Sequence, residues 1–173
     1  MKHYTVIPVD AFTTTPLQGN PCAVLPDARG LTDAEMQAIT REMNLSETAF
    51  VLPSDKADFR FRYFTPATEI PLAGHPTIST AHVLVEQGRI PLKNGRATFT
   101  MELNVGVLPV EIVDREGNVT RVVMTQKKPE FGRTFTHAEV ASLFGLSIDD
   151  LDTRYPPQVV STGTPQLMVL VKS

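Results

Sequence analysis

The segment Ala73–Gly88 reads AGHPTISTAHVLVEQG, and it combines a helical pattern with very little charge. Pro76 suits the first turn of a helix, and the glycine at the end of the segment suits a C-terminal cap. Between these two residues the strongly polar side chains come only at the C-terminal end. Because a helix without a charged face has little to present to water, the segment predicts a buried helix over residues 77–87 that strands enclose on several sides.

Short segments in which apolar and polar residues alternate surround this helix in the sequence. In one of them Phe59, Phe61 and Tyr63 alternate with arginines, which is typical of a half-buried strand. A turn at Glu116–Asn118 is expected to join two later strands into an antiparallel hairpin. The predicted strands are His3–Asp10, Pro21–Leu25, Thr48–Leu52, Asp58–Phe64, Arg96–Leu103, Leu108–Ile112 and Val119–Thr125.

Two other helices are predicted from their first turns. Thr32 and Glu35 form a capping box, in which each side chain can bond to the backbone N–H of the other residue. Thr136 and Glu139 repeat this device, and Gly145 suits the end of that helix. Helices combined with mainly antiparallel strands along one chain predict the fold class α+β.

The composition excludes several classes of protein. The 173 residues carry 16 Lys and Arg against 19 Asp and Glu, a net charge of −3 without a basic cluster, so no nucleic-acid or membrane-surface partner is expected. The longest apolar run, Leu167–Val171, is too short to span a bilayer, and the N-terminal residues lack the apolar block of a signal peptide. We therefore expect a cytoplasmic protein. Cys22 is the only cysteine, which rules out an intramolecular disulfide and a zinc–thiolate cluster.

Two segments are unusual for an ordinary core. Glu47 lies between a predicted helix and an apolar strand, and Gly74 and His75 precede the buried helix. Because a helix N-terminus offers free N–H groups to an anion, these residues predict a pocket with one acid and one histidine. Simpler interpretations stay open, with Glu47 as a carboxylate at a strand edge and Gly74–Pro76 as a tight loop. The four histidines are too scattered to predict a metal site.

Several motifs follow one another in a specific order over the N-terminal half. They are Val9-Asp10-Ala11-Phe12, Pro16-Leu17-Gln18-Gly19-Asn20-Pro21, Arg41-Glu42-Met43-Asn44-Leu45-Ser46-Glu47, Phe64-Thr65-Pro66, Glu69 and Ala73-Gly74-His75-Pro76. In order and spacing they resemble the PhzF (phenazine biosynthesis-like) family. The later part of the chain, including Val160-Ser161-Thr162-Gly163, resembles the family more loosely.

The resemblance implies a diaminopimelate-epimerase-like fold, in which two lobes each wrap a strand barrel around a central helix and the active site lies in the cleft between them. Members of the family are isomerases that move a proton on a small carboxylate substrate without a cofactor. On this resemblance Glu47 matches the proton-shuttling glutamate and His75 the active-site histidine, so both are predicted catalytic residues. Gly74, Pro76 and Thr77, at the start of the central helix, are the predicted substrate-binding residues.

Two departures from the family pattern bear on the expected chemistry and domain organisation. Ala73 stands where related racemases carry a cysteine, and Cys22 lies in a different motif, so a carboxylate shuttle is favoured over thiol-based racemisation. The Asp-Pro/Ala-x-Thr-Gly-Ser segment of the family's second lobe has no match in this sequence. We therefore expect a first lobe over residues 1–117 and the beginning of an incomplete second lobe over residues 118–173.

An incomplete second lobe affects both the activity and the association that we expect. With one wall of the cleft present, the chain is expected to show little or no isomerase activity, and the alternative is a non-catalytic remnant lobe that binds a carboxylate ligand or a protein partner. Uncovered apolar strands predict a homo-oligomer, a missing C-terminal lobe, or a disordered tail after about residue 118. The apolar residues concerned are Val122, Val123, Leu167, Val169, Leu170 and Val171.

Overall fold

The computed structural model describes residues 2–115 and 118–172, and the chain divides into two units between Thr125 and Gln126. Within the described residues the first unit contains two α-helices and eight strands. These are β1 (Ile7–Ala11), β2 (Asn20–Leu25), α1 (Asp33–Met43), β3 (Glu47–Leu52), β4 (Phe59–Phe64), β5 (Glu69–Ile70), α2 (Gly74–Glu86), β6 (Arg96–Leu103), β7 (Gly106–Arg115) and β8 (Asn118–Met124).

The strands of the first unit form one mixed sheet in the order β1-β2-β3-β4-β6-β7-β8, with β5 paired to β4. The β2–β3 and β4–β6 pairs are parallel, and the other pairs are antiparallel. Because α2 packs against β1 at one edge of the sheet and against β8 at the other, the sheet curls around this helix. Ala81 and Leu84 of α2 are completely buried. The α+β class and the buried helix enclosed by strands are thus confirmed.

Helix α2 begins earlier than the sequence predicted. Its start was expected at residue 77, whereas Gly74 and His75 are already helical and Ala73 is the N-cap residue. The earlier start is possible because Pro76 is tolerated in the first turn, where backbone N–H groups have no partner within the helix. Gly74 and His75 therefore belong to the helix and not to a loop before it.

Both predicted capping boxes are present. At the start of α1 the Glu35 N–H donates to the Thr32 hydroxyl at 3.2 Å, and the Thr32 N–H donates to the Glu35 carboxylate at 2.7 Å. Thr136 and Glu139 form the same pair of bonds at the start of α3 (His137–Phe144). These side chains accept hydrogen bonds from backbone N–H groups that would otherwise have no partner at the start of each helix.

Strand β8 lies in the first unit, although the sequence predicted a boundary after residue 117. In the structure β8 pairs with β7, with Val122 opposite Ile112, and the division falls after Thr125. Val122 accordingly packs against the core of the first sheet. Backbone pairing along β7 is the physical reason for the later boundary. The first two residues of the predicted turn, 116 and 117, lie outside the described residues.

The second unit is small. Its described residues form α3, a short 3-10 helix (Ile148–Asp150) and a three-stranded sheet in the order β11-β10-β9. Its strands are β9 (Glu130–Thr134), β10 (Gln158–Ser161) and β11 (Pro165–Met168). Leu170 is 39% exposed and Val171 60% exposed. Association between copies of the chain through such residues stays a prediction.

An ion-pair network joins α1, β4 and β5 shortly before the start of α2. Arg62 donates to both carboxylate oxygens of Glu69, at 2.8 and 2.6 Å, and to Asp33 at 2.6 Å. The Asn104 amide adds a bond to Glu69 at 3.0 Å. The hydrogen bonds from Arg62 hold the pKa of Glu69 below its ordinary value. The network therefore favours the ionised carboxylate in the folded state.

We expect Glu69→Gln to lower the free energy of unfolding by about 1–2 kcal/mol at pH 7, because hydrogen bonds to a charged group are lost. Since the folded-state pKa is depressed, the stabilisation is present above the unfolded pKa of about 4.3 and is lost as the pH falls through the folded value. The difference between wild type and variant should therefore shrink below about pH 4. Urea unfolding of wild type and variant between pH 7 and pH 3 measures the difference in their free energies of unfolding. A difference that does not change with pH would contradict the argument.

Candidate active site

Glu47 and His75 lie side by side in the first unit. Glu47 is the first residue of β3, and His75 lies in the first turn of α2. The His75 Nε2 and Glu47 Oε2 atoms are 3.3 Å apart, and the two side chains are 9% and 21% exposed. The curl of the sheet around α2 brings the start of this strand to the start of the helix. The acid and the histidine that the sequence predicted to share a pocket are thus neighbours in the structure.

The two facing atoms have unused hydrogen-bonding capacity. Glu47 Oε2 and His75 Nε2 are both covered by protein, yet neither makes a hydrogen bond with good geometry to a described residue. Their separation permits a bond, but the arrangement of the two groups does not meet the geometry of a hydrogen bond. Buried polar atoms are nearly always paired, so such a pair needs an explanation. A ligand that bonds to both groups would supply one.

The start of α2 is left open, unlike the starts of the other two helices. Ala73 offers no side-chain cap, and the first turn contains no acidic residue. Because Pro76 has no N–H, the unpaired amides of the first turn belong to Gly74 and His75. A helix N-terminus with free amides and partial positive charge suits an anion.

Gly74 is exposed, and a Cβ atom built on it would meet no protein atom within 4 Å. Its backbone is helical and does not have a positive φ, so neither packing nor conformation requires a glycine here. Glycine also weakens a helix relative to alanine. A glycine at this position is therefore explained if a ligand approaches its backbone closely.

Pro76 and Thr77 face the protein interior. Both are buried, and the Thr77 hydroxyl lies 2.7 Å from the Ala73 carbonyl oxygen and 2.7 Å from the Tyr63 hydroxyl. Direct contact between these two side chains and a substrate stays a prediction. The sequence did not predict the contact of Tyr63 with Thr77, although strand alternation places the Tyr63 side chain on the inner face of β4.

Cys22 lies beside Glu47, because β2 and β3 pair in parallel with these two residues in register. The side chain of Cys22 is completely buried. Burial, reinforced by the charge of Glu47, raises the pKa of the thiol to about 12. The thiol therefore stays protonated at neutral pH, where a thiolate would be needed for acid–base or nucleophilic work. Cys22 therefore acts as a small buried hydrophobe.

Other features of the described chain lie apart from this pair. A cleft of about 1090 Å³ opens at the far end of β3, where Leu52 and Phe59 line it together with Arg29 and Arg89. None of the predicted site residues lines it. Within residues 2–115 and 118–172, no three His, Cys, Asp or Glu side chains gather as a metal site would require. None of the helices there has the length and apolarity to cross a membrane.

Comparisons with known proteins agree with the resemblance found in the sequence. A family model described as phenazine biosynthesis-like protein matches residues 9–173. The crystal structure of a Bacillus anthracis phenazine biosynthesis protein of the PhzF family is 41% identical, with a TM-score of 0.83 over 99% of this chain and 57% of that chain. The trans-2,3-dihydro-3-hydroxyanthranilate isomerase of Pseudomonas chlororaphis is 36% identical over 98% of this chain and 57% of its own length. The chain thus spans little more than half the length of these relatives.

The fold extends beyond close relatives. The crystal structure of a probable proline racemase from Agrobacterium radiobacter is similar with a TM-score of 0.68 over 96% of this chain and 52% of that chain, although only 16% of residues are identical. This likeness concerns the fold alone, and it confirms the expected diaminopimelate-epimerase-like fold. Since the family model matches almost the whole sequence, the chain belongs to the phenazine biosynthesis-like (PhzC-PhzF) protein family.

Proposed function

We propose that this chain forms one wall of the active site of an isomerase that moves a proton between two carbon atoms of a small carboxylate. The observation that carries the proposal is the half-buried Glu47–His75 pair, whose facing atoms are buried and 3.3 Å apart, beside the uncapped start of α2. An acid–base group, a polar partner and an anion-binding helix end are the parts that such a reaction needs. The activity named for the Pseudomonas chlororaphis relative supports the same class of reaction.

Each group has a definite task in the proposed reaction. The substrate carboxylate binds the free amides of Gly74 and His75 at the helix start. The Glu47 carboxylate takes a proton from one carbon and returns it to another, so one C–H bond breaks, one forms, and no oxidant or reductant is needed. The His75 Nε2–H bonds to the reacting group and holds it next to Glu47. The protonated thiol of Cys22 takes no part.

The first substrate to examine is trans-2,3-dihydro-3-hydroxyanthranilate, since a relative that matches 98% of this chain is named for its isomerisation. The competing proposal is a lobe that binds a carboxylate ligand or a protein partner without turnover. The open helix start of α2 would serve that role equally well. The two proposals differ in whether a proton leaves carbon.

The experiment is to incubate the protein with this substrate in D₂O and to follow deuterium in the product by mass spectrometry and NMR. We expect isomerised product only in low yield, since this chain forms one wall of the site, and the product should carry deuterium at the new C–H bond because a carboxylate exchanges its proton with solvent. In parallel, ¹H–¹⁵N NMR records whether the Gly74 and His75 amides respond to the carboxylate. Amide shifts without deuterium incorporation would favour a non-catalytic lobe that binds a carboxylate, and the absence of both would refute carboxylate binding at this helix start.

A further inference from the structure

A buried chain of hydrogen bonds ends at the N-cap of α2. The Tyr63 hydroxyl, on β4, lies 2.7 Å from the Thr77 hydroxyl, which lies 2.7 Å from the Ala73 carbonyl oxygen. Tyr63 and Thr77 are both completely buried. Both hydroxyls are enclosed by protein, whereas Gly74 is exposed and has open space beside it.

The directions of these hydrogen bonds follow from counting protons. A threonine hydroxyl has one proton, and the Ala73 carbonyl oxygen can only accept. Thr77 could otherwise donate to the Met124 sulfur at 3.6 Å, a weak acceptor, or to the Tyr63 oxygen, since either hydroxyl of that pair could be the donor. We assign the Thr77 proton to the Ala73 carbonyl, the stronger acceptor, and with this assignment the Tyr63 hydroxyl donates to Thr77. Burial also raises the pKa of Tyr63, which keeps that proton on the phenol.

The chain of bonds ends on the peptide group that carries the Gly74 N–H. The Ala73 carbonyl and the Gly74 N–H belong to one planar peptide unit, so fixing the carbonyl direction fixes the direction of the N–H. A donor bonded to the carbonyl oxygen also polarises the same unit and strengthens its N–H as a donor. Ala73 itself has no side chain that could perform either task.

We propose that Tyr63 and Thr77 are positioning residues that aim the Gly74 amide at the substrate carboxylate. The inference rests on the proposed function, because it assigns the Gly74 amide to a carboxylate. It goes further by naming two buried residues, remote from the open surface, that determine how well this carboxylate is held. The reacting proton does not pass through either of them.

The test compares four variants with wild type. Thr77→Val and Tyr63→Phe each break the chain of hydrogen bonds, while Thr77→Ser keeps a hydroxyl at the same place. Ser79→Ala is the matched control, because Ser79 is a buried hydroxyl of the same helix whose oxygen has no hydrogen-bond partner among the described residues. Melting temperatures are recorded for all proteins so that lost stability is separated from lost positioning.

The first readout needs no ligand. In ¹H–¹⁵N spectra we expect Thr77→Val and Tyr63→Phe to move the Gly74 amide resonance, Thr77→Ser to restore most of the wild-type position, and Ser79→Ala to leave it in place. A Gly74 resonance that is the same in all five proteins would overturn the inference, whatever ligand the site takes.

The second readout uses anthranilate, a stable carboxylate with the ring skeleton named for the Pseudomonas chlororaphis relative. We expect Thr77→Val and Tyr63→Phe to weaken its binding by about three- to tenfold, and Thr77→Ser to restore most of the affinity. Equal affinity in all variants, with only the melting temperature lowered, would show a purely structural role and overturn the inference. If wild type does not bind anthranilate, the carboxylate site of the proposed function fails, and the amide resonance still decides whether Tyr63 and Thr77 orient Gly74.

Discussion

In a form of the protein that shows full isomerase activity, Glu47→Gln is expected to lower the rate of the proposed isomerisation by about 10²- to 10⁴-fold, the usual loss when a positioned acid–base group is removed. Glutamine keeps the volume of the side chain but cannot accept a proton from carbon. The effect should fall on kcat, with KM little changed, because the substrate carboxylate is held by the amides of Gly74 and His75. Steady-state kinetics and deuterium incorporation measure the loss.

The melting temperature of this variant should stay close to that of wild type, because the buried Glu47 Oε2 makes no hydrogen bond to a described residue that the substitution would remove. The chain offers a matched control in Glu86→Gln. Glu86 faces His82 at 3.5 Å, a second pair of the same kind, but Glu86 is 67% exposed on the last turn of α2. That control should retain full activity. Full activity in Glu47→Gln as well would make Glu47 an ordinary carboxylate at the edge of a strand.

Gly74→Ala is expected to have opposite effects on stability and on ligand binding. The backbone at Gly74 is helical and the space beside it is empty of protein, so alanine should fit without strain. Stability should rise by about 0.4–1 kcal/mol, because alanine restricts the unfolded chain more than glycine does. Carboxylate binding or turnover should fall by about 10- to 100-fold, because the added methyl group displaces the ligand from the amides.

Thermal unfolding and an NMR titration with anthranilate measure the two effects of Gly74→Ala. Gly132→Ala is a suitable control, since Gly132, in β9, is not one of the residues proposed for the site and has no positive φ. That variant should leave carboxylate binding unchanged. A Gly74→Ala protein that is more stable and binds the carboxylate as wild type does would show that no ligand approaches this helix start.

The candidate site could be proposed from the sequence, but its geometry could not be predicted. The placement of Gly74 and His75 at a helix start that suits an anion follows from the composition of α2 and from the general properties of helix starts. The neighbours Cys22 and Tyr63 were not foreseen as part of the site. Their positions depend on the register of β2 with β3 and on the inward face of β4, and strand register is set by pairing between distant segments.

The sequence alone determined the starts of α1 and α3, the end of α3 and the burial of α2. Capping boxes act between residues three positions apart, and the absence of charge is a property of one segment, so these signals are readable without the rest of the chain. Only the tertiary structure decided the inclusion of β8 in the first unit and the 3.3 Å approach of His75 to Glu47. These features arise from backbone pairing and from the curl of the sheet around a helix, which are long-range interactions that no local pattern encodes.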